Sequence, residues 1–305
     1  MNKMIRIFLI IAIIISVFES ASLAKSVQVG VIISGDIPYY RAIHKTFTDD
    51  LKSKGIQADI ILQTPSPDAM AWINAARKFS AVGVDVIITY GTPATLSALS
   101  EASGIPVIFA SVYDSAVLGI KGKKTTGIIS KVSIAGLVKN LKDIHNFSSL
   151  GIVYNNSEKD TVKEASELER LASQFSFNAV KFNFRSPGDV SKIKKVDALF
   201  ITTSDVAAVY IEEIISAARQ MKIPVASLIG NVEERGILLT LSADPAEQGR
   251  EIANILAHVA RGESPSNIEV KNPRKLNLVI NLKEASAMGF KVPFDLLSSA
   301  TRIIK

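Results

Sequence analysis

Short β-branched runs alternate with helical segments along most of this chain, and that alternation restricts the possible folds more than any other feature. The runs are nearly continuous in apolar residues, which is typical of parallel strands covered by helices on both faces. They lie at 27–34, 58–63, 84–90 and 105–112, and then at 150–155, 179–184, 197–203, 223–230 and 236–242. Strands that alternate with helices predict right-handed βαβ units and a doubly wound sheet, which places the chain in the α/β class.

The two series of runs are alike in pattern and predict two similar, Rossmann-like lobes. "VGVIIS" at 29–34 and "LGIVYN" at 150–155 each open a series, and each series contains an "IPV" strand preceded by a helix. A further helix follows the second series, with Asp244 as its predicted N-cap, Pro245 at its first position and Gly262 at its end. A strand at 276–282 comes next. These added elements favour a chain that crosses between the lobes more than once, through a shared hinge.

The first residues have the pattern of a secretory signal peptide. Lys3 and Arg6 precede an apolar run at 7–18, and small residues follow up to Ala24. We therefore expect residues 1–24 to be a signal peptide cleaved after about Ala24, and the mature protein to be periplasmic. A retained anchor is the alternative, although the run is short for a membrane span. The chain contains no cysteine, which excludes a lipid-anchored cysteine, disulfides and thiolate sites.

Signatures of catalysis, metal binding and nucleic-acid binding are missing from the sequence. There is no G-x-S-x-G, G-x-G-x-x-G or H-E-x-x-H motif, and His44, His145 and His258 do not have the spacing of metal ligands. The net charge is +6, but the basic residues are scattered and lack interleaved aromatic residues. We therefore expect no catalytic residue, no metal, no cofactor and no nucleic-acid partner.

Polar residues follow the strands of both predicted lobes, at the edge where doubly wound sheets bind their ligands. The candidate ligand-binding residues in the first lobe are Ser34, Asp36, Tyr39, Gly91, Thr92, Thr95, Ser111, Tyr113 and Asp114. Those in the second lobe are Asn156, Ser157, Glu158, Thr203, Ser204, Asp205 and Gly230. Hydroxyls together with carboxylates suit an amino acid, whose ammonium would pair with Asp205, Glu158 or Asp114.

The stretch "VIITYGTPATL" at 86–96 holds the most specific of these candidates. Thr92 suits an N-cap and Pro93 the first helical position, so the amides of Ala94 and Thr95 would face a bound carboxylate. Gly91 would let that ligand approach the backbone. The alternative is that Thr92 only caps its helix.

Several segments, taken in order, resemble the substrate-binding proteins of ABC transporters, in the group with tryptophan- and tyrosine-binding members. They are "GTPAT", "GIPVIFASVYD", "GIVYNNSE", "DALFITTSD" and "GILLTLSADPAEQGREIANILAHVARGESP". The resemblance implies a type I periplasmic-binding fold, with two lobes joined by three crossovers. It places 27–131 and 243–264 in an N-lobe, and 132–242 and 265–305 in a C-lobe. It also implies ligand positions at Thr92 and Thr95, in the turn 111–114, at 156–158 and at 204–205.

The function implied by the resemblance is that of a binding protein and not an enzyme. We expect a monomer that binds an amino acid or related carboxylate between its lobes and delivers it to a membrane ABC permease. A soluble sensor that presents its ligand to a membrane receptor is the main alternative, and an exported hydrolase is a third. The chain departs from the family's usual pattern at Ser115, at 159–161 and at Val206, so the prediction of a binding protein does not extend to aromatic specificity.

Overall fold

The computed structural model describes residues 26–122 and 124–305 and contains two sheets, one parallel and one mostly parallel, each covered by helices. The predicted signal peptide lies outside the described residues. The first lobe, the N-lobe, is built from β1 (Val27–Ile33), α1 (Pro38–Ser53), β2 (Ala58–Gln63), α2 (Ala69–Val82), β3 (Val86–Tyr90), α3 (Thr92–Glu101), β4 (Val107–Val112) and β5 (Thr125–Ile129). Its sheet has the order β2-β1-β3-β4-β5, and every neighbouring pair is parallel.

The second lobe, the C-lobe, follows with the same alternation. It contains α4 (Ile134–Ile144), β6 (Ser149–Tyr154), α5 (Lys159–Gln174), β7 (Asn178–Asn183), β8 (Ala198–Ile201), α6 (Asp205–Val209), α7 (Ile211–Met221), β9 (Val225–Ser227) and β10 (Leu239–Ala243). The last elements of the chain are α8 (Pro245–Ala260), β11 (Leu276–Asn281), α9 (Leu282–Ala287), α10 (Phe294–Ser299) and β12 (Arg302–Ile304). The C-lobe sheet has the order β12-β11-β10-β9-β8-β6-β7, with only β10 and β11 antiparallel among its pairs.

The predicted α/β class and the two-lobe arrangement are confirmed. Strands β1, β3 and β8 are buried almost along their whole length because helices cover both faces of the sheets. Local signals fix the helix ends: Asp68 accepts a hydrogen bond from the Ala71 amide at 2.9 Å, and Ser133 accepts one from Gly136 at 3.0 Å. No helix among the described residues is long and apolar enough to cross a membrane.

The N-terminus of α8 connects the crossovers between the lobes. Asp244 is its N-cap, as predicted, and accepts a hydrogen bond from the Glu247 amide at 2.7 Å. The Glu247 carboxylate accepts the backbone amides of Arg274 and Lys275. Gln248 contacts the ends of two N-lobe strands: its amide oxygen accepts from Ser111 N in β4, and its amide nitrogen donates to the carbonyl of Ile129, where β5 ends and the chain crosses to the C-lobe. The crossing segments therefore share one helix end.

The lobe boundaries differ from those that the resemblance implied. Ala243, expected in the N-lobe, ends β10 in the C-lobe sheet. Residues 265–271, expected in the C-lobe, lie against β5, where the Lys271 amide donates to Gly127 and its carbonyl accepts from Ile129. The reason is that β5 is the edge of the N-lobe sheet, and this segment pairs its exposed backbone groups.

Candidate ligand-binding site

The carboxyl ends of the two sheets face each other, and the lobes touch across the cleft between them. The Tyr39 hydroxyl of the N-lobe donates to the carbonyl of Ala243 at 2.9 Å, and the Tyr113 hydroxyl donates to Glu167 Oε2 at 3.0 Å. A cavity of about 20 Å³ remains between the lobes. This volume accommodates one water molecule, so a larger ligand enters only when the lobes separate.

Each lobe contributes six residues to the wall of this cavity, which is largely aromatic and aliphatic. The N-lobe provides Ile37, Tyr39, Tyr40, Ser111, Tyr113 and Ser130. The C-lobe provides Val132, Thr203, Leu228, Ile229, Ser242 and Ala243. Three tyrosine rings and four branched aliphatic side chains give the cavity an apolar body with hydroxyl groups at intervals.

The turn after β3 brings the N-lobe backbone close to two hydroxyl groups. Gly91 has a φ of 93° and is the N-cap of α3, so the helix begins at Thr92. The prediction that Thr92 is the N-cap is therefore wrong by one residue. A Cβ at Gly91 would lie 2.6 Å from both Ser34 Oγ and the Tyr40 hydroxyl. Only glycine fits this turn, because both its φ and its neighbours exclude a side chain.

The amides at the start of α3 already have partners within the protein. The Ala94 amide donates to Ser34 Oγ at 3.1 Å, and the Thr95 amide donates to the Gly91 carbonyl at 3.2 Å. The Thr95 hydroxyl also donates to that carbonyl, at 2.7 Å, and lies 2.8 Å from the Thr89 hydroxyl. The carboxylate site predicted from these two amides is therefore not formed.

The C-lobe side of the cleft contains four buried acidic residues. They are Glu158, Asp160, Glu164 and Asp205, and each is 3% exposed or less. No lysine, arginine or histidine of the described residues forms an ion pair with any of them. Buried carboxyl groups without a basic partner are rare in protein interiors, because an unpaired buried charge is costly. Burial favours their protonated form, and a cation bound beside them would favour the ionised form.

Two of these acids already accept hydrogen bonds from other groups of the protein. The Glu158 carboxylate accepts the backbone amides of Asp205 at 2.9 Å and Val206 at 3.2 Å, at the start of α6. Glu164 accepts both the backbone amide and the hydroxyl of Thr203, at 2.8 and 2.6 Å. Glu158, predicted as a partner for an ammonium group, thus holds α6 in position.

The other two acids face the N-lobe. Asp205 Oδ1 and the Thr92 hydroxyl are the two buried side-chain polar atoms of the described residues that have no hydrogen-bond partner. Asp205 comes from the C-lobe and lies near enough to the Ser34 and Tyr40 hydroxyls for them to lower its pKa, although its Oδ1 has no hydrogen bond of good geometry. Thr92 comes from the N-lobe and its hydroxyl affects the pKa of Asp160 in the same way, again without a hydrogen bond of good geometry. Unpartnered buried oxygens are costly, and their presence on both walls of one cleft indicates the place of a hydrogen-bond donor.

The titration of these acids reflects their shared burial. Burial raises the pKa of Asp205 well above its usual range, and the nearby Asp160 carboxylate raises it further. Burial also raises the pKa of Asp160 to about 6, and that of Glu164 to about 8 with a contribution from the Asp160 charge. For Glu158, burial is again the largest cause of a raised pKa, followed by the charge of Asp205.

The remaining predicted residues divide into those that face the cleft and those that do not. Tyr39, Ser111, Tyr113 and Thr203 line the cavity, and Gly230 lies against Ser242 and the Tyr39 ring. Ser204 is the N-cap of α6 and accepts from the Ala207 amide.

Four predicted residues have other roles or lie elsewhere. Asp36, Asn156 and Ser157 are exposed, and Asp36 is ion-paired with Arg41 at 2.8 Å. Asp114 closes its own turn, accepting the amides of Ala116 and Val117, and pairs with Lys131 at 2.7 Å.

Sequence reasoning missed Asp160, Glu164 and Tyr40. Asp160 and Glu164 are four residues apart, which places both on one face of α5, and this spacing was a usable signal. Tyr40 is the second residue of a tyrosine pair, and the sequence does not show which ring faces the cleft. No set of three His, Asp or Glu side chains in the described part of the chain is arranged to hold a metal ion.

Comparisons with known proteins agree with this two-lobed architecture. Residues 26–304 match the sequence model of the family described as ABC transporter substrate binding protein. A conserved domain protein of Vibrio cholerae O1 biovar eltor is 26% identical, with a TM-score of 0.87 over 92% of this chain and 100% of that one. No curated protein gives a significant match.

Two further solved structures are each 22% identical to this chain. One is an ABC domain from Streptococcus pneumoniae in complex with L-Trp, with a TM-score of 0.85 over 90% of this chain and 100% of that one. The other is the ligand-free, open structure of a substrate-binding protein from Clostridium difficile, with a TM-score of 0.65 over 91% and 99%. The two lobes of this chain touch each other. Its TM-score is therefore lower with the open structure than with the L-Trp complex.

Proposed function

Because this chain belongs to the family of ABC transporter substrate-binding proteins, we propose that it is the extracytoplasmic receptor of an ABC importer for a small ligand that carries an ammonium group. The ligand binds between the lobes and is delivered to a membrane permease. In this role the protein binds its ligand without converting it.

The observation that carries the proposal is the pair of unpartnered oxygens on opposite lobes, Asp205 Oδ1 and Thr92 Oγ1. An ammonium group has three N–H donors and one positive charge. Asp205 supplies an acceptor and the opposite charge, and Thr92 supplies a second acceptor. Asp160 supplies the third through Oδ2, which receives only a long bond of 3.5 Å from the Thr203 hydroxyl, whereas Oδ1 accepts the Thr161 amide at 3.1 Å.

The cavity wall indicates what the rest of the ligand is like. Tyr40 and Thr203 line the cavity and also contact the acidic cluster, so the ligand's charged end and its body occupy adjoining spaces. The tyrosines and the branched side chains favour an aromatic or branched aliphatic body. The complex of the related Streptococcus pneumoniae domain with L-Trp, an aromatic molecule with an ammonium group, supports this assignment.

Ligand contacts on both walls explain why binding favours closure. The four acids are on the C-lobe and the Thr92 hydroxyl is on the N-lobe, so a ligand forms all its contacts only when the lobes meet. A ligand that binds the closed state better than the open one shifts the population toward the closed state. The closed surfaces of the two lobes would then be the form that the permease recognises.

A thermal-shift experiment with matched compounds tests the proposal. Phenethylamine, isopentylamine, L-phenylalanine and L-leucine are compared with the neutral alcohols 2-phenylethanol and 3-methylbutanol. We expect compounds with an ammonium group to raise the melting temperature, and the alcohols to leave it unchanged. Equal shifts from the amines and the alcohols, or no shift from any compound, would contradict an ammonium site. The importer role is tested separately, by uptake of the bound compound in cells that lack the gene.

A further inference from the structure

Three serine residues, Ser111, Ser130 and Ser242, line the cavity among its aromatic and aliphatic side chains. On the assumption that the proposed function is correct, we propose that these serines form a second subsite, which selects ligands whose aromatic body ends in a hydroxyl group. This subsite belongs to the same cleft as the ammonium site and receives the opposite end of the same ligand.

The order of the strands separates the serines from the acidic cluster. In the N-lobe, Thr92 follows β3, whereas Ser111 lies near the end of β4 and Ser130 follows β5. In the C-lobe, Asp205 follows β8, whereas Ser242 lies near the end of β10. Strand β5 is two places from β3, and β10 is two places from β8, which corresponds to about 10 Å in each sheet. A ligand with its ammonium group at the acidic cluster therefore extends toward the serines.

Two of the serine hydroxyls have no partner within the protein. Neither Ser130 Oγ nor Ser242 Oγ takes part in a hydrogen bond among the described residues, although Ser242 is only 4% exposed. The Ser111 hydroxyl lies close to that of Tyr39, which donates to the Ala243 carbonyl. A serine hydroxyl both donates and accepts hydrogen bonds. The hydroxyls of Ser130 and Ser242 are therefore available to a polar group that enters the cavity.

The backbone holds all three serines in fixed positions. The Ser111 amide donates to Gln248 Oε1 at 2.9 Å, and the residue has a φ of 57°. The Ser130 amide donates to the Val112 carbonyl at 2.7 Å. Ser242 lies within β10, which pairs with β9 on one side and with β11 on the other. Their hydroxyls are therefore carried by the ends of the sheets and not by mobile loops.

Gly230 leaves the space that the Ser242 hydroxyl occupies. A Cβ at Gly230 would lie 2.3 Å from Ser242 Oγ and 3.3 Å from Cδ2 of the Tyr39 ring. Any larger residue at position 230 would displace the hydroxyl or the ring. Glycine at this position therefore keeps a polar group at the wall of a largely apolar cavity.

The pairing of hydrogen bonds favours a ligand with a hydroxylated ring. A ring that ends in C–H groups would cover the serine hydroxyls without giving them a partner, which is costly. A phenol hydroxyl donates to one serine and accepts from another. A phenethyl body also extends further from its ammonium group than a branched aliphatic one, which suits the separation between the two ends of the cleft.

Isothermal titration calorimetry of the intact protein with matched compounds tests this selectivity. Tyramine is compared with 4-methylphenethylamine, whose methyl group is similar in size to the hydroxyl but forms no hydrogen bond, and with phenethylamine. We expect tyramine to bind about tenfold more tightly than either of the other two amines, as two added hydrogen bonds would produce. L-Tyrosine should exceed 4-methyl-L-phenylalanine by a similar factor.

The outcomes separate the subsite from the proposed function. If 4-methylphenethylamine binds within threefold of tyramine, or more tightly, the serine subsite is overturned and the ammonium site is left intact. An absence of binding by all five compounds overturns both.

The variants Ser130→Ala and Ser242→Ala, each checked for folding by its melting temperature, add a second measurement. Each should lower the ratio of tyramine affinity to 4-methylphenethylamine affinity about threefold, because each removes one partner of the phenol hydroxyl. The matched control is Ser216→Ala, which changes an exposed serine of α7, and its ratio should equal that of the unmodified protein. An unchanged ratio in both folded cavity variants would overturn the role given to these serines.

Discussion

The N-lobe presents neutral hydroxyls to the cleft, whereas the C-lobe presents carboxyl groups. Ser34, Tyr40 and Thr92 form the N-lobe wall of the acidic region, opposite Asp160 and Asp205. The two lobes are similar in topology, so the fold does not require this difference. Because of this difference, the C-lobe would bind the ligand's positive charge, and the N-lobe would cover the bound ligand. Closure without a cation buries these carboxyls against hydroxyls alone, which is unfavourable when they are ionised.

The variant Asp205→Asn removes the charge on which this contrast most depends. Loss of one partner of a buried charge pair costs about 2–5 kcal/mol, so we expect phenethylamine affinity to fall about thirtyfold or more. Titration calorimetry measures the loss, and circular dichroism verifies the fold. The matched control is Asp36→Asn, which removes an exposed carboxylate of the N-lobe. Equal affinity losses in both variants would contradict the assignment of charge to the C-lobe.

A pH series tests the same contrast without a substitution. Buried acids whose pKa is raised in the folded state bind more protons than they do in the unfolded chain. The unfolded protein therefore gains stability relative to the folded one as pH rises from about 4 toward 8, the range set by pKa values of about 6 for Asp160 and about 8 for Glu164. We expect the melting temperature of the ligand-free protein to fall by several degrees over this range.

In the same pH series with phenethylamine, the stabilisation by the ligand should increase with pH, whereas the stability of the ligand-free protein decreases. An ionised cluster binds the ammonium better, so the ligand-induced rise in melting temperature should grow between pH 5 and pH 8. Asp160→Asn should weaken both trends. A ligand contribution that stays constant over this range would contradict a site based on these carboxyls.

Thr92 and Thr95 allow a comparison within the N-lobe. Both side chains are fully buried, but the Thr95 hydroxyl is bonded to the Gly91 carbonyl and the Thr92 hydroxyl is unpartnered. We expect Thr92→Val to weaken phenethylamine binding about tenfold without loss of stability, since it removes an unsatisfied buried hydroxyl. Thr95→Val should reduce stability by about 1 kcal/mol, because it breaks an existing hydrogen bond. Chemical denaturation and calorimetry measure the two effects, and reversed results would show that Thr92 does not contact the ligand.

The contrast between the lobes was only partly visible in the sequence. Periodicity predicts strands and helices because apolar runs and helix caps are local, and the cap at Asp244 is one confirmed case. Whether Glu158 faces the ligand or the start of α6 depends on how β6 and β8 place their following loops, which is not local. The short strand β12 and the pairing of residues 265–271 with β5 likewise depend on contacts far apart in the chain.

Tyr113 is an N-lobe residue that also contacts the C-lobe, so the roles of the two lobes are not fully separate. It belongs to the N-lobe, yet its ring packs in the C-lobe core with Val132 and Leu228, and its hydroxyl donates to Glu167. Loss of this half-buried bond in Tyr113→Phe should lower phenethylamine affinity about three- to fivefold by destabilising the closed state. The matched control is Tyr154→Phe. Tyr154 is a partly buried residue of β6, and its hydroxyl forms no hydrogen bond within the described residues, so this variant should bind phenethylamine normally.

A double-mutant cycle decides whether Tyr113 acts through closure or through the ligand. If the hydroxyl acts through its bond to Glu167, then Glu167→Ala should weaken binding by a similar factor, and the double variant should be no weaker than either single one. Additive losses would mean that the hydroxyl contacts the ligand directly. In that case the N-lobe would provide a second polar contact in the cavity, and recognition would be shared more evenly between the lobes than the positions of the acids suggest.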